Sequence, residues 1–151
     1  MKCLKAIPFL IILVSSLQSI GQQLPVDIHD ALEADDSTKL SQSVNLGNVN
    51  ECYQYYSLLS HTIRYNTPNC FTFLLNNGAD VNLICNDYVP PIMHAAKYGR
   101  LDMLKQLVAK GADVNYKYKG DLPDVKGMTP LTYAEKFNQK EVANYLRTIT
   151  K

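Results

Sequence analysis

Gly78-Ala79-Asp80-Val81-Asn82 and Gly111-Ala112-Asp113-Val114-Asn115 are the same five residues, 33 positions apart. Each follows an apolar stretch: Phe71-Thr72-Phe73-Leu74-Leu75 in one case, Leu104-Lys105-Gln106-Leu107-Val108 in the other. A third stretch of this kind, Val142-Ala143-Asn144-Tyr145-Leu146, lies near the end of the chain. Upstream of each runs a second set: Ser57 to Ile63, Pro90 to Ala96 and Thr129 to Ala134. A period of this size marks a repeat architecture, in which each unit buries its apolar face only against its neighbours.

The residues that punctuate these blocks have physical roles. Thr129 suits a helix cap with Pro130 at the first helical position, where a missing N–H costs nothing. Ser57 suits the matching cap. Pro90 has no side-chain oxygen, so its helix start is expected to be the weakest. Thr67-Pro68 repeats the cap-then-proline device at a second helix. Asn66, Gly99 and Asn138 share the position between paired helices, where a left-handed backbone is needed, and Gly78 and Gly111 end the second helices in the same way. Ala95-Ala96 allows close helix approach, from which Thr62-Ile63 and Ala134-Glu135 depart.

The pattern resembles the ankyrin repeat family. That family opens its units with Thr-Pro-Leu-His, kept here as Thr129-Pro130-Leu131, and closes them with Gly-Ala-Asp-Val-Asn. The resemblance covers about residues 27–151. It implies an all-α solenoid of stacked helix pairs with extended finger loops: a degenerate cap over residues 24–50, then repeats at about 57–82, 90–115 and 129–151. Val49-Asn50 in the cap echoes the closing motif, but Gly47 sits one place too near. Pro90 to Thr129 spans 39 residues rather than 33, and the extra six fall within Tyr116 to Met128, an enlarged finger. Insertions in solenoids map to loops, often on the binding face.

Composition narrows the function. The 151 residues are 46% hydrophobic, with 15 basic and 14 acidic side chains, which excludes a disordered charged tail. A net charge of +1 argues against a dedicated nucleic-acid binder. Lys2 and Lys5, an apolar run from Ala6 to Leu17, and small residues at Ser19 and Gly21 are the marks of a secretory signal peptide over residues 1–21, cleaved before Gln22. The run is shorter than the roughly 20 apolar residues a membrane span requires, so no membrane attachment is expected in the mature form. Cleavage leaves 13 basic and 14 acidic residues and a secreted or periplasmic protein.

Catalytic chemistry finds little support. His61 and His94 occupy one repeat position in neighbouring units, about 10 Å apart by helix packing, too far to share a metal. Cys52 and Cys85 are likewise equivalent. The same spacing exceeds the roughly 4.4–6.8 Å between the Cα atoms of a disulfide, so three unpaired thiols are expected unless the fingers bend together to bridge Cys52 and Cys85, with Cys70 in the core. No Gly-rich phosphate loop, Cys-x-x-Cys or His-Glu-x-x-His is present. No catalytic residue, metal or cofactor is assigned.

Aromatic residues give the stronger signal. Tyr65, Tyr98 and Phe137 hold one position in three units, beside Arg64, Lys97 and Lys136. The resemblance puts this position at the end of the first helix, towards the concave groove, and so implies a ladder of rings with a parallel ladder of cations. The same rings could instead pack on the next unit. Tyr53, Tyr55 and Tyr56 cluster at the first full finger, and Tyr53 and Tyr56 join the candidate set. Asp87 and Tyr88 represent the next finger, Tyr116 and Tyr118 the enlarged one. The implied function is non-catalytic binding of another protein outside the cytoplasm. Alternatives are an inhibitor or immunity-type protein blocking a secreted or periplasmic enzyme, self-association through the tyrosines, and an enzyme whose site has no recognisable motif.

Overall fold

The structure is a computed structural model that describes residues 22–150. The expected signal peptide lies outside the described residues. Four helix pairs follow one another: α1 (Val26–Glu33) with α2 (Ser37–Ser43), α3 (Leu58–Tyr65) with α4 (Pro68–Asn76), α5 (Pro91–Tyr98) with α6 (Leu101–Ala109), and α7 (Pro130–Lys136) with α8 (Lys140–Ile149). The first helices pack in the order α1, α3, α5, α7 as an inner row. A short hairpin, β1 (Cys52–Tyr53) and β2 (Tyr56–Ser57), precedes α3 and sets Cys52 opposite Ser57. The core runs through the whole stack, from Ile28 and Leu32 through Leu58, Phe71, Ile92 and Leu104 to Val142 and Leu146.

Local chemistry explains the helix ends. Ser57 Oγ accepts the Ser60 N–H at 3.1 Å. Thr129 Oγ1 accepts from Thr132 N–H at 3.3 Å, and Thr132 Oγ1 accepts from Thr129 N–H at 2.8 Å, a reciprocal cap with threonine in the place usually held by glutamate. α5 begins at Pro90-Pro91 with no side-chain cap, as the sequence predicts. Thr67 departs from expectation. Its hydroxyl turns back to donate to the Thr62 carbonyl at 3.2 Å and caps nothing in α4. Asn66, Gly99 and Asn138 all take positive φ, as do Gly78 and Gly111.

The repeated motif is a joint between units. Asn82 Nδ2 donates to the Gly111 carbonyl at 3.1 Å, while Asp113 N–H donates to Asn82 Oδ1 at 2.8 Å. Asn50 makes the same two bonds to Gly78 and Asp80, at 3.1 and 2.7 Å. The motif's aspartates stiffen their own turn: Asp80 accepts from Asn82 N–H and Asp113 from Asn115 N–H. Asn50 therefore performs the full role of the closing asparagine despite the displaced glycine before it.

The departures from the alanine pair are also satisfied. Thr62 is fully buried and donates its hydroxyl to the Leu59 carbonyl one turn back, at 2.7 Å. Glu135 faces outward and pairs with Arg147 at 2.7 Å. Cys70 is buried as expected, donating to the Ala31 carbonyl, and burial beside Asp35 pushes its thiol up to about 12.

The expectation of three unpaired thiols is overturned. Cys52 and Cys85 form a disulfide with their Cα atoms 5.9 Å apart. The helix-row spacing does not carry over to the fingers. Cys52 lies in the hairpin, whereas Cys85 lies in a segment with no ladder to hold it away, so the two fingers lean together.

Candidate functional site

The inner helices end on one face, and the fingers rise beside it. Tyr56 stands at the centre. Its ring meets the edges of His61 and His94 at centroid distances of 5.4 and 5.5 Å. The Arg64 guanidinium lies 3.8 Å above that ring and 5.9 Å from the Tyr98 ring, and Arg64 Nη1 donates to the Tyr98 hydroxyl at 3.2 Å. Lys97 Nζ lies 5.5 Å from the Tyr98 ring and 5.2 Å from the Phe137 ring. The two predicted ladders merge in part, with Arg64 bridging Tyr56 and Tyr98 and Lys97 bridging Tyr98 and Phe137. Lys136 breaks the series, because its ammonium donates to the Asp124 carbonyl at 2.8 Å. Tyr65 sits at the exposed N-terminal end, edge-on to His29 at 5.7 Å. Phe137 packs half-buried against Tyr133 at 5.0 Å.

Both histidines are structural props for this surface. His61 Nε2–H faces the Tyr53 carbonyl at 3.3 Å, and His94 Nε2–H faces Asp87 Oδ2 at 2.9 Å. In each ring Nδ1 is buried without a partner. Burial lowers the pKa of His61 to about 4 and lowers that of His94 despite Asp87. The Asp87–His94 pair has the look of a general base with its orienting acid. Among the described residues no hydroxyl or thiol is hydrogen-bonded to His94 Nδ1. Asp87 Oδ1 accepts the Val89 N–H at 3.1 Å, so Asp87 fixes its loop as well as the imidazole.

Three candidates are largely buried, although Tyr118 also lines a cleft with Tyr55, Tyr88 and Leu122. Tyr53 is 2% exposed and donates to Glu51 at 2.8 Å. Tyr116 and Tyr118, expected to present rings from the enlarged finger, are 8% and 5% exposed. The insertion folds back on itself: Tyr118 N–H donates to the Met128 carbonyl, and Gly127 N–H to the Tyr118 carbonyl. Tyr116 donates its hydroxyl to the Tyr88 carbonyl at 2.9 Å. Burial raises both phenols above their ordinary range.

The candidate Tyr88 is exposed, and Tyr55 and Leu122, outside the candidate set, join it. Tyr55, in the hairpin turn after the left-handed Gln54, is 60% exposed. No sequence signal separates it from Tyr53, because a strand of two residues shows too little alternation. Tyr88 is 50% exposed and holds φ +59°, unusual for a bulky side chain. Leu122, at the tip of the insertion, is 61% exposed, and no sequence signal marks it. Tyr55, Tyr88 and Leu122 line one cleft together with Tyr56, Asp87 and Asp121. Tyr56 also borders a second cleft, formed by Gln54, His61, Arg64, Tyr65 and Tyr98.

A family model for ankyrin repeats, built of three copies, matches residues 28–118 and again 59–150. The chain belongs to the ankyrin repeat family. No curated protein matches the chain. Ankyrin repeats are modules that bind other proteins, typically without catalysis, and this ankyrin stack presents a surface of rings and cations suited to that role. Among the described residues no helix is long and apolar enough to cross a membrane.

Proposed function

We propose that this ankyrin repeat protein is a non-catalytic binding module acting outside the cytoplasm, and that it grips a partner protein where its fingers meet the inner helices. The convergence of Tyr55, Tyr88 and Leu122 on one cleft carries the reading. Exposed apolar side chains scattered singly mean little, but a cluster rimmed by polar groups marks an interaction surface. Flat tyrosines bury much area at small entropic cost. The left-handed Tyr88 adds to this, because strain is tolerated where function holds it.

That strain supplies the test. Tyr88→Asn places a residue at home in the left-handed region while removing the ring. Thermal stability should hold or rise by a few tenths of a kcal/mol. Affinity for the native partner, captured from the extracytoplasmic fraction of the source cell, should fall roughly 30-fold, as for an interface anchor. Undiminished capture by a stably folded Tyr88→Asn protein would overturn the assignment of this surface.

The location outside the cytoplasm is supported by the signal-like start of the chain and by the disulfide, which persists in oxidising compartments. N-terminal sequencing of the protein isolated from its own cell checks this. A chain beginning at Gln22 is expected, and one that retains Met1 in the cytosolic fraction sinks the idea.

A further inference from the structure

We infer that the partner offers an acidic segment carrying a large apolar side chain, with its carboxylates received by Arg64 and Lys97 and its apolar group by the cleft between Tyr55, Tyr88 and Leu122. This rests on the binding role proposed above and gives it a chemistry.

Arg64 and Lys97 lack an ion pair, as do most of the described lysines and arginines, but these two stand together against one ring, that of Tyr98. Among the described residues the ion pairs are those of His29, Lys39, His94 and Arg147, and no carboxylate pairs with Arg64 or Lys97. Both are nevertheless held in place. Arg64 lies flat on Tyr56 and donates one N–H to Tyr98, while Lys97 stands between the Tyr98 and Phe137 rings. Ring faces order a cation without neutralising it. A guanidinium fixed in this way keeps further N–H groups for a carboxylate and has already lost much of the freedom that binding would remove.

Two acids, Asp87 and Asp121, border the apolar cleft and none borders the cleft that holds Arg64, so the partner's carboxylates belong on the Arg64 side. Asp87 is committed through one oxygen to His94 and through the other to the Val89 N–H. The apolar half of the site adjoins the cationic half, because Tyr56 borders both clefts. A partner segment lying across Tyr56 therefore meets cations on one side and exposed apolar groups on the other. Two cations are too few to track a phosphate backbone, so an acidic peptide fits this surface better than a nucleic acid.

The test uses fluorescence anisotropy with the purified protein and a labelled peptide of alternating Glu and Phe. Two companions replace every Glu by Gln, or every Phe by Ser. The acidic aromatic peptide should bind about tenfold more tightly than either, with an affinity that falls as salt rises. Arg64→Gln should weaken it about tenfold and flatten the salt dependence, and Arg64→Lys should restore part of both. Lys97→Gln, which disturbs less packing, should act in the same direction.

Equal affinity for the Glu and Gln peptides overturns the inference, as does failure of every peptide to bind. Tighter binding of a single-stranded oligonucleotide of equal charge overturns it in favour of nucleic acid. If Arg64→Gln still captures the native partner while Tyr88→Asn does not, the binding role stands and the acidic chemistry falls.

Discussion

Replacing Cys52 and Cys85 together by serine should lower the unfolding free energy by about 3 kcal/mol. The bridge joins residues 33 apart, and a cross-link of that length removes considerable freedom from the unfolded chain. Against the 5–15 kcal/mol that holds a typical domain together, about 3 kcal/mol is a large share. The functional cost should be greater still. Tyr55 and Tyr56 lie within four residues of Cys52, and Asp87 and Tyr88 within three of Cys85, so the bond fixes the gap across which the finger cleft is built. Urea unfolding of the oxidised protein, the reduced protein and the double serine variant measures the first effect. Coincident midpoints for all three would show that the bridge adds no stability. Cys70 serves as an internal control: buried and with a raised pKa, it should resist alkylation until the stack unfolds.

Acid should weaken the fold before most carboxylates titrate. His61 is buried and neutral, its pKa held near 4 against an ordinary 6.5, first by burial and then by the charges of Arg64, His94 and His29. The unfolded chain therefore binds a proton more readily than the folded one. The stabilisation from neutral His61 is complete above pH 6.5, declines as pH falls from there to about 4, and changes no further below that. The loss is on the order of 3 kcal/mol. His94 shifts in the same direction, because burial outweighs Asp87. Protonation would place an N–H on a buried Nδ1 that has no acceptor. Melting temperature followed from pH 7.5 down to 4 checks the prediction. His61→Gln, which does not titrate in this window, should flatten the curve, and a wild-type melting temperature level across the window would contradict it.

Much of the stack is legible in the sequence because its demands are local. A left-handed residue between paired helices needs Gly or Asn, and Asn66, Gly99 and Asn138 satisfy this by backbone chemistry alone. The five-residue closing motif is equally readable, since Asp80 and Asp113 bond within two positions of themselves. The site is less so, because its geometry is set between distant segments. Tyr53, a candidate, turns inward and its neighbour Tyr55 turns outward, and strands of two residues show too little alternation to reveal which ring does which. Tyr116 and Tyr118 look available until the insertion doubles back and Tyr88 offers a carbonyl. The Cys52–Cys85 bond depends on how two fingers lean, a property of neither alone.

The paired bonds made by Asn50 and Asn82 have a consequence for how such a protein lengthens. Each asparagine reaches forward and reads only main-chain atoms of the following unit, one carbonyl and one amide. The coupling is therefore indifferent to which side chains the following unit carries elsewhere. A 33-residue segment can be duplicated or exchanged at these seams without redesigning the fastening, while the fingers and inner faces diverge freely. The asparagine works as a standard connector, which separates the inheritance of architecture from the inheritance of specificity.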